Sequence, residues 1–435
     1  MLKITPIFLF GEHPRFIEGT KHVVITKKRE LKAKAEEILD GLKEKLTVDV
    51  DFLKPKIVMV EKDFNDFEKW SEGTDAFLIF RYTLRFGLWL KKISEFELPI
   101  VLFHAENIPN KALDSLEYMI DKKNVFLTVN SKEMDSTLKI LNTLKSLENT
   151  KILISNVDYP FYIERIRGRY ASPKLIKEKL GVTVEELHHE ELLRKWENIS
   201  YKKAEALAKE WTKKAEKVVE PSLKDVTIVA RFYLAVKALL KERKAHAFTM
   251  AYGEDPYPVP CLAYTKLRDE GIPAACEGDI NSLLMMLIFH YLAEKPAFMG
   301  NTVRVDYRKN LVAFSHCVVP TKMNGYSDKP APYNLRDYHE MKFPGSVTAY
   351  APMKSNRIVT IARFKGDLTK MIVCNGKVRK SEETTHCRAT IWIKVKDARK
   401  FLHETFGNHH VIVYGDYRKE LEQIGKLLDI EVITL

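Results

Sequence analysis

The stretch PAACEGDINSLLMMLIFHYLAEKPAFMGN, Pro273–Asn301, holds a change of texture that decides the fold. A short apolar run, PAAC, reads as a strand. The turn residues EGD interrupt it, and Ile280–Ala293 follows with the length and continuous apolar character of a buried helix. After Pro296 the long helical patterns stop. Working back from this point, apolar strand-like runs alternate with amphipathic helices. Working forward, short alternating strands are separated by turns.

Upstream, the strand-like runs of the first part are His22–Thr26, Lys56–Val60, Ala76–Phe80, Pro99–His104, Val125–Val129 and Lys151–Val157. Arg29–Leu46 and Asp135–Leu147 are amphipathic stretches between them. Apolar strands alternating with helices predict a parallel sheet covered on both faces. A second α/β segment contains a helix over Ser200–Val218, with Ala204, Leu207, Ala208, Trp211, Ala215 and Val218 on one face. A further helix runs from about Asp225, read as its N-cap, to Leu240. Then follow a strand at Ala247–Tyr252, a helix at Cys261–Asp269 and a strand at Pro273–Cys276.

Downstream, the runs Thr302–Tyr307, Leu311–Val319, Ser346–Pro352, Arg357–Phe364, Lys370–Cys374 and Ala389–Val395 are parted by turn residues, among them Asn375–Gly376. They predict an antiparallel sheet or barrel. A helix, Arg418–Leu428, and a strand, Glu431–Leu435, close the chain. The fold class is therefore α/β: two Rossmann-like parallel-sheet domains, 1–150 and 151–295, followed by a C-terminal antiparallel β-barrel-like domain, 296–435.

Composition narrows the function. The 435 residues are 45% hydrophobic, enough for real cores and far from a disordered or low-complexity chain. No apolar run approaches the roughly 18 residues of a membrane span, and the N-terminus lacks the pattern of a signal peptide. A cytoplasmic protein is the expectation. The five cysteines, Cys261, Cys276, Cys317, Cys374 and Cys387, form no CxxC pair. The spacing thus predicts neither a disulfide framework nor a thiolate zinc site. A net charge of +12 raises the question of nucleic acid. The lysines, however, are interleaved with glutamates, as in LKAKAEEILDGLKEKL, which reads as solvated helix surface, so no nucleic-acid partner is expected. Abundant Lys and Glu also fit a thermophilic source.

Four places carry candidate chemistry. In AACEGDIN, Ala274–Asn281, Glu277 and Asp279 sit where a strand ends and a helix begins, the end of an open α/β sheet at which ligands bind. Asp279 also suits an N-cap. FMGN, Phe298–Asn301, lies at the change of texture, and Gly300–Asn301 is also a good turn pair. FSHCVVP, Phe314–Pro320, places His316 in an apolar strand. GNHHVIV, Gly407–Val413, puts His409 and His410 on opposite strand faces, so at most one of them serves a metal. Carboxylate with imidazole suits Mn²⁺, Co²⁺ or Fe²⁺.

In this order, ACEGDINSLLMMLIFHYLAEKPAFMGN, LVAFSHC and GNHHVIVYGD resemble the C-terminal half of the L-fucose isomerase and L-arabinose isomerase superfamily. KEKLGVTVEELHHEELLRKW, AEALAKEWTKKAEKVVEP and the segment ending in HAFTMAYGED are similar to that superfamily's middle domain. The resemblance covers residues 150–435 and, in layout alone, the first 150. It implies a manganese-dependent aldose–ketose isomerase acting on a monosaccharide, built as a trimer or hexamer. Glu277 then matches the metal-ligating acid/base glutamate, His316 a strand histidine, and His410, in preference to His409, the C-terminal histidine ligand. The family places a second carboxylate at FMGN, where this chain has Asn301. With Asn301 as a metal or substrate partner, Asp279 is available to move the hydroxyl proton. A divergent metal-dependent sugar enzyme and a non-catalytic sugar-binding protein are the alternatives, since fold alone does not settle function.

Overall fold

The computed structural model describes residues 1–18, 21–83, 86–104, 119, 122–156, 170–251, 260–340, 344–385 and 387–435. They fall into two compact units, Met1–Ser146 and Leu147–Leu435.

In the first unit, Leu2–Leu9 is an inner strand of a six-stranded parallel sheet. Val50–Phe52 and Lys56–Val58 pair along one edge of it, and Ala76–Arg81 along the other, followed outward by Ile100–Phe103 and Val125–Thr128. All six residues of Ala76–Arg81 are buried, as a parallel strand covered on both faces requires. Ile7, Leu9, Phe77 and Ile79 pack with Phe64, Trp70 and Leu90 into one apolar cluster. One expected strand has a different setting: Lys21–Val24 pairs antiparallel with Arg15–Glu18 in a separate hairpin.

The second unit opens on a four-stranded parallel sheet, in the order Thr183–His188, Lys151–Asn156, Ala247–Ala251, Ala274–Ala275. The Leu223–Arg243 helix is capped by Ser222, whose hydroxyl accepts from the Asp225 N–H. Asp225 is thus the third helical residue of a capping box rather than the N-cap.

The Ile280–Ala293 helix spans the range its sequence predicts, and nearly all of its side chains are buried. It packs on the Ala274–Ala275 strand and on two strands of the antiparallel sheet, Ile358–Phe364 and His409–Tyr414. This double cover explains why its sequence is apolar all round.

In the antiparallel sheet, Ile358–Phe364 pairs with His409–Tyr414, which pairs with Phe298–Asp306, then Leu311–His316, Ala389–Val395 and Lys370–Glu383. Lys370–Glu383 pairs back onto Ile358–Phe364, so the pairing runs in a circuit. Glu431–Thr434 adds a parallel edge. Asn375–Gly376, read as a turn, lies within the Lys370–Glu383 strand, where a Cβ on Gly376 would strike Ile393. Asn301 likewise is in a strand, and the turn reading of Gly300–Asn301 does not hold. Among the described residues no helix is long and apolar enough to cross a membrane.

Candidate functional site

The chain leaves the Ala274–Ala275 strand through a tight turn in which Asp279 N–H donates to Cys276 O (3.1 Å). Glu277 and Gly278 both take left-handed backbone, φ +59° and +65°. For Glu277 this is a sparsely populated conformation, held because the strand and the helix fix the turn from both sides. Gly278 needs its missing Cβ as well, since one would stand 3.1 Å from the Ala251 Cβ. The turn delivers the Glu277 carboxylate to the ends of two antiparallel strands.

There it meets two imidazoles. His316 Nε2 lies 3.8 Å from one Glu277 oxygen and His409 Nε2 3.6 Å from the other. The two rings stand 5.5 Å apart. Both Nε2 atoms are buried without a hydrogen-bond partner. Polar atoms buried in this way are costly unless something satisfies them. The three ligand atoms lie within 4.8 Å of one another, a span that an ion with bonds of roughly 2.0–2.4 Å bridges. The donors, one carboxylate and two imidazoles, fit a divalent transition metal.

Asp279 is fully buried and organises this group from behind. One oxygen accepts from Ser282 N–H (2.9 Å) and caps the Ile280–Ala293 helix. The other accepts from His409 Nδ1 (2.9 Å) and pairs with Arg363 (3.2 Å). Accepting from Nδ1 directs the His409 Nε2 toward Glu277, the usual outer support of a ligating histidine. The Asp279 carboxyl is therefore occupied on both oxygens. Its contacts are all to protein groups: the helix N-terminus, His409 and Arg363.

Charge is tuned to match. Burial raises the Asp279 carboxyl, but Arg363 and His409 outweigh it and hold the group far below the usual carboxylate range. Burial lowers the His409 pKa, yet its bond to Asp279 and the nearby Glu277 carboxylate carry it up to about 9. The His316 ring is pushed down to about 3, chiefly by burial, and so is neutral. Its Nδ1 accepts from the Cys317 N–H (3.0 Å), so ligation through Nε2 moves the ring proton at the expense of that bond. For Glu277, burial is outweighed by the two imidazoles, leaving the carboxylate ionised below its ordinary range.

His410 is not part of the group, and the preference for it over His409 is reversed. Alternation along the strand turns it to the other face, where it packs between Phe314 and Phe401 at 5.5 and 5.1 Å. Its Nδ1 bonds the Asn408 carbonyl (3.0 Å) and its Nε2 the Thr405 hydroxyl. Asn301 pairs with His409 across the strands, but its side-chain oxygen accepts from the Asn408 amide (2.6 Å).

Two supports escaped the sequence reading. Arg363 spans Asp279 and the His409 carbonyl. The buried Arg268 donates to Ala274 O (2.7 Å) and Val318 O (3.1 Å), tying the segment before Glu277 to the one after His316. Neither sits in a motif, and nothing in the linear pattern separates them from other arginines.

Residues 175–295 match the sequence model of the L-arabinose isomerase central domain. Two sulfoquinovose isomerases, from Priestia aryabhattai and Priestia megaterium, are each 25% identical to the chain over 314 residues, covering 68% of this chain and 66% of the relative. A third, from Clostridium sp. strain MSTE9, is 25% identical over 281 residues, covering 61% and 60%. The chain thus aligns with just under two thirds of the length of these relatives. The resemblance to the L-fucose and L-arabinose isomerase superfamily holds, and over residues 175–295 the chain is similar to the L-arabinose isomerase central domain.

Proposed function

We propose that the chain is a metal-dependent aldose–ketose isomerase acting on a monosaccharide. The observation that carries the reading is the convergence of Glu277 with the two unpartnered, buried Nε2 atoms of His316 and His409. Glu277, His316 and His409 would hold the ion, with Mn²⁺, Co²⁺ or Fe²⁺ suited to the donors. When bound, it supplies charge that polarises the sugar carbonyl and stabilises the developing enediolate.

The chain's own residues do the rest. The Glu277 side chain is 40% exposed, unlike its histidine neighbours, so it faces the space a sugar would enter. Held ionised, it would accept the proton from C2 of an aldose and return it to C1, while the O2 hydroxyl proton passes to O1 through solvent water. Asp279 and Arg363 keep His409 in register during that transfer. Asn301 pairs with His409 across the strands; its amide would offer a hydrogen bond to a sugar hydroxyl and is not a base near neutral pH.

That amide supports a second reading, a sugar enzyme of another reaction type. Asn301→Asp separates the two: an isomerase short of one carboxylate should gain turnover and bind Mn²⁺ more tightly. Assay of a panel of aldoses and ketoses, sulfoquinovose among them, with and without Mn²⁺ tests the main reading. Conversion of none of them with the metal bound would overturn it.

Three structural proposals accompany it. The cyclic strand pairing supports a barrel-like C-terminal domain beginning near residue 296, with a boundary near 150 before it. By analogy with the superfamily the chain assembles as a trimer or hexamer, which light scattering at micromolar concentration checks. A cytoplasmic setting rests on the sequence reading alone.

A further inference from the structure

Cys317 follows His316 directly but belongs to a second cluster. Cys317 Sγ, Cys387 Sγ and a His339 ring nitrogen all lie within 4.8 Å of one another. Cys387 Sγ stands 3.4 Å from His339 Nε2. Cys261, the first residue of the Cys261–Asp269 helix, is near enough for its thiol to act on the titration of Cys317. Three segments remote in sequence thus bring soft donors to one point. The two cysteines and the histidine come from different loops or element ends, so no spacing rule reveals them.

The donors are held from behind. The Cys317 carbonyl accepts from the Thr348 hydroxyl, and the Cys387 carbonyl from Thr384 and Ser315. His339 has left-handed backbone, φ +49°, and stacks on Tyr338 at 3.8 Å. A histidine in that conformation stores strain that the surroundings must impose. Here it aims the imidazole at the two thiols.

We propose that Cys317, Cys387 and His339 form a second metal site that takes Zn²⁺. Two thiolates and an imidazole are the soft set that tetrahedral zinc prefers, with bonds of roughly 2.3 Å to sulfur and 2.0–2.1 Å to nitrogen. The same bond lengths put neighbouring donors roughly 3.3–3.8 Å apart, inside the spacing the cluster already has. Binding releases the thiol protons to solvent and leaves the sulfurs as thiolates. The site is chemically distinct from the carboxylate–imidazole group around Glu277, and it does not depend on the isomerase reading. It would tie the end of the His316 strand to the Tyr338–Glu340 turn and to the connection before Ala389–Val395.

Cobalt separates the two sites, because only thiolate ligation gives a sulfur-to-cobalt charge-transfer band. The reduced, chelator-treated full chain is titrated with Co²⁺, then with Zn²⁺. The expected result is one equivalent of cobalt showing the band, displaced by one equivalent of zinc. Cys387→Ser and His339→Ala should each weaken zinc binding at least about tenfold, while Glu277→Gln and Cys374→Ser keep the band. If Cys387→Ser does not fold, His339→Ala, on a part-exposed turn, carries the test. No band with all thiols titratable, or a band unchanged in both cluster variants, would overturn the proposal. So would a mass two hydrogens lighter for the untreated protein with a Cys317–Cys387 crosslink, which would make the pair a disulfide instead.

Discussion

His409 and His410 are neighbours in sequence with opposite surroundings, and each makes its own prediction. His409 faces Glu277 and Asp279, whereas His410 is held among Phe314, Phe401, Thr302 and Thr405. His410→Asn should cost about 1–3 kcal/mol of stability, because a hydrogen-bonded buried ring is lost, and leave Mn²⁺ affinity nearly unchanged. His409→Asn should lower Mn²⁺ affinity by at least about a hundredfold, more than the loss of an outer-shell partner. Calorimetric titration beside urea unfolding reads both; equal metal loss in the two variants would contradict the assignment. Asp279→Asn belongs at the same scale. It removes the acceptor that sets the His409 ring, so Mn²⁺ affinity should fall about 10–100-fold. It also leaves the buried Arg363 without its counter-charge, which should cost about 3–5 kcal/mol. A variant that loses stability but binds Mn²⁺ normally would confine Asp279 to helix capping.

The turn between Ala274–Ala275 and Ile280–Ala293 is the element on which the site depends, and one glycine there is irreplaceable. Gly278→Ala forces a side chain into left-handed backbone against Ala251, so about 1–3 kcal/mol should be lost and Glu277 displaced with it. A lowered urea midpoint together with weakened Mn²⁺ binding is the expected pair of results; an unchanged midpoint would show that the turn can relax. This element was legible in the sequence because local signals agree: a short apolar run, EGD, then a long apolar helix. Leu2–Leu9 was not read as a strand, although three strands pair with it, because its run LKITPIFL shows no clean alternation. Asn375–Gly376 misled for the converse reason, since its turn chemistry is overridden by the flanking strands of the sheet. Glu277 and His316 were found through ordered motifs. Arg268 and Arg363 act through contacts that exist only after folding, as do the thiols around His339. Strand alternation limited the choice at GNHHVIV to one histidine but could not say which face meets Glu277.

At the scale of the whole chain, the question is whether the ion proposed at Glu277 holds the second unit together or only serves the site. The packing argues for the latter. Ile280, Leu283, Leu284, Met285, Leu287, Ile288 and Phe289 are buried on one helix alone, and each such side chain contributes about 1.5–3 kcal/mol of burial. Arg268, Asp279 and Arg363 brace the three donors through hydrogen bonds that need no metal. Chelation of the reduced protein should therefore abolish isomerase turnover while far-ultraviolet circular dichroism stays unchanged. Adding Mn²⁺ back at about 100 times its dissociation constant should restore turnover and stabilise the folded state by about 2.7 kcal/mol, a rise of several degrees in Tm. In Glu277→Gln the same addition should restore no turnover and shift Tm much less, since the anionic donor between the two rings is gone. Unfolding on chelation would instead mean that the ion completes the fold, as it does in small domains whose cores cannot stand without metal. Full turnover in the metal-free protein would sink the metal-dependent reading, leaving Glu277 and the two histidines to act without an ion.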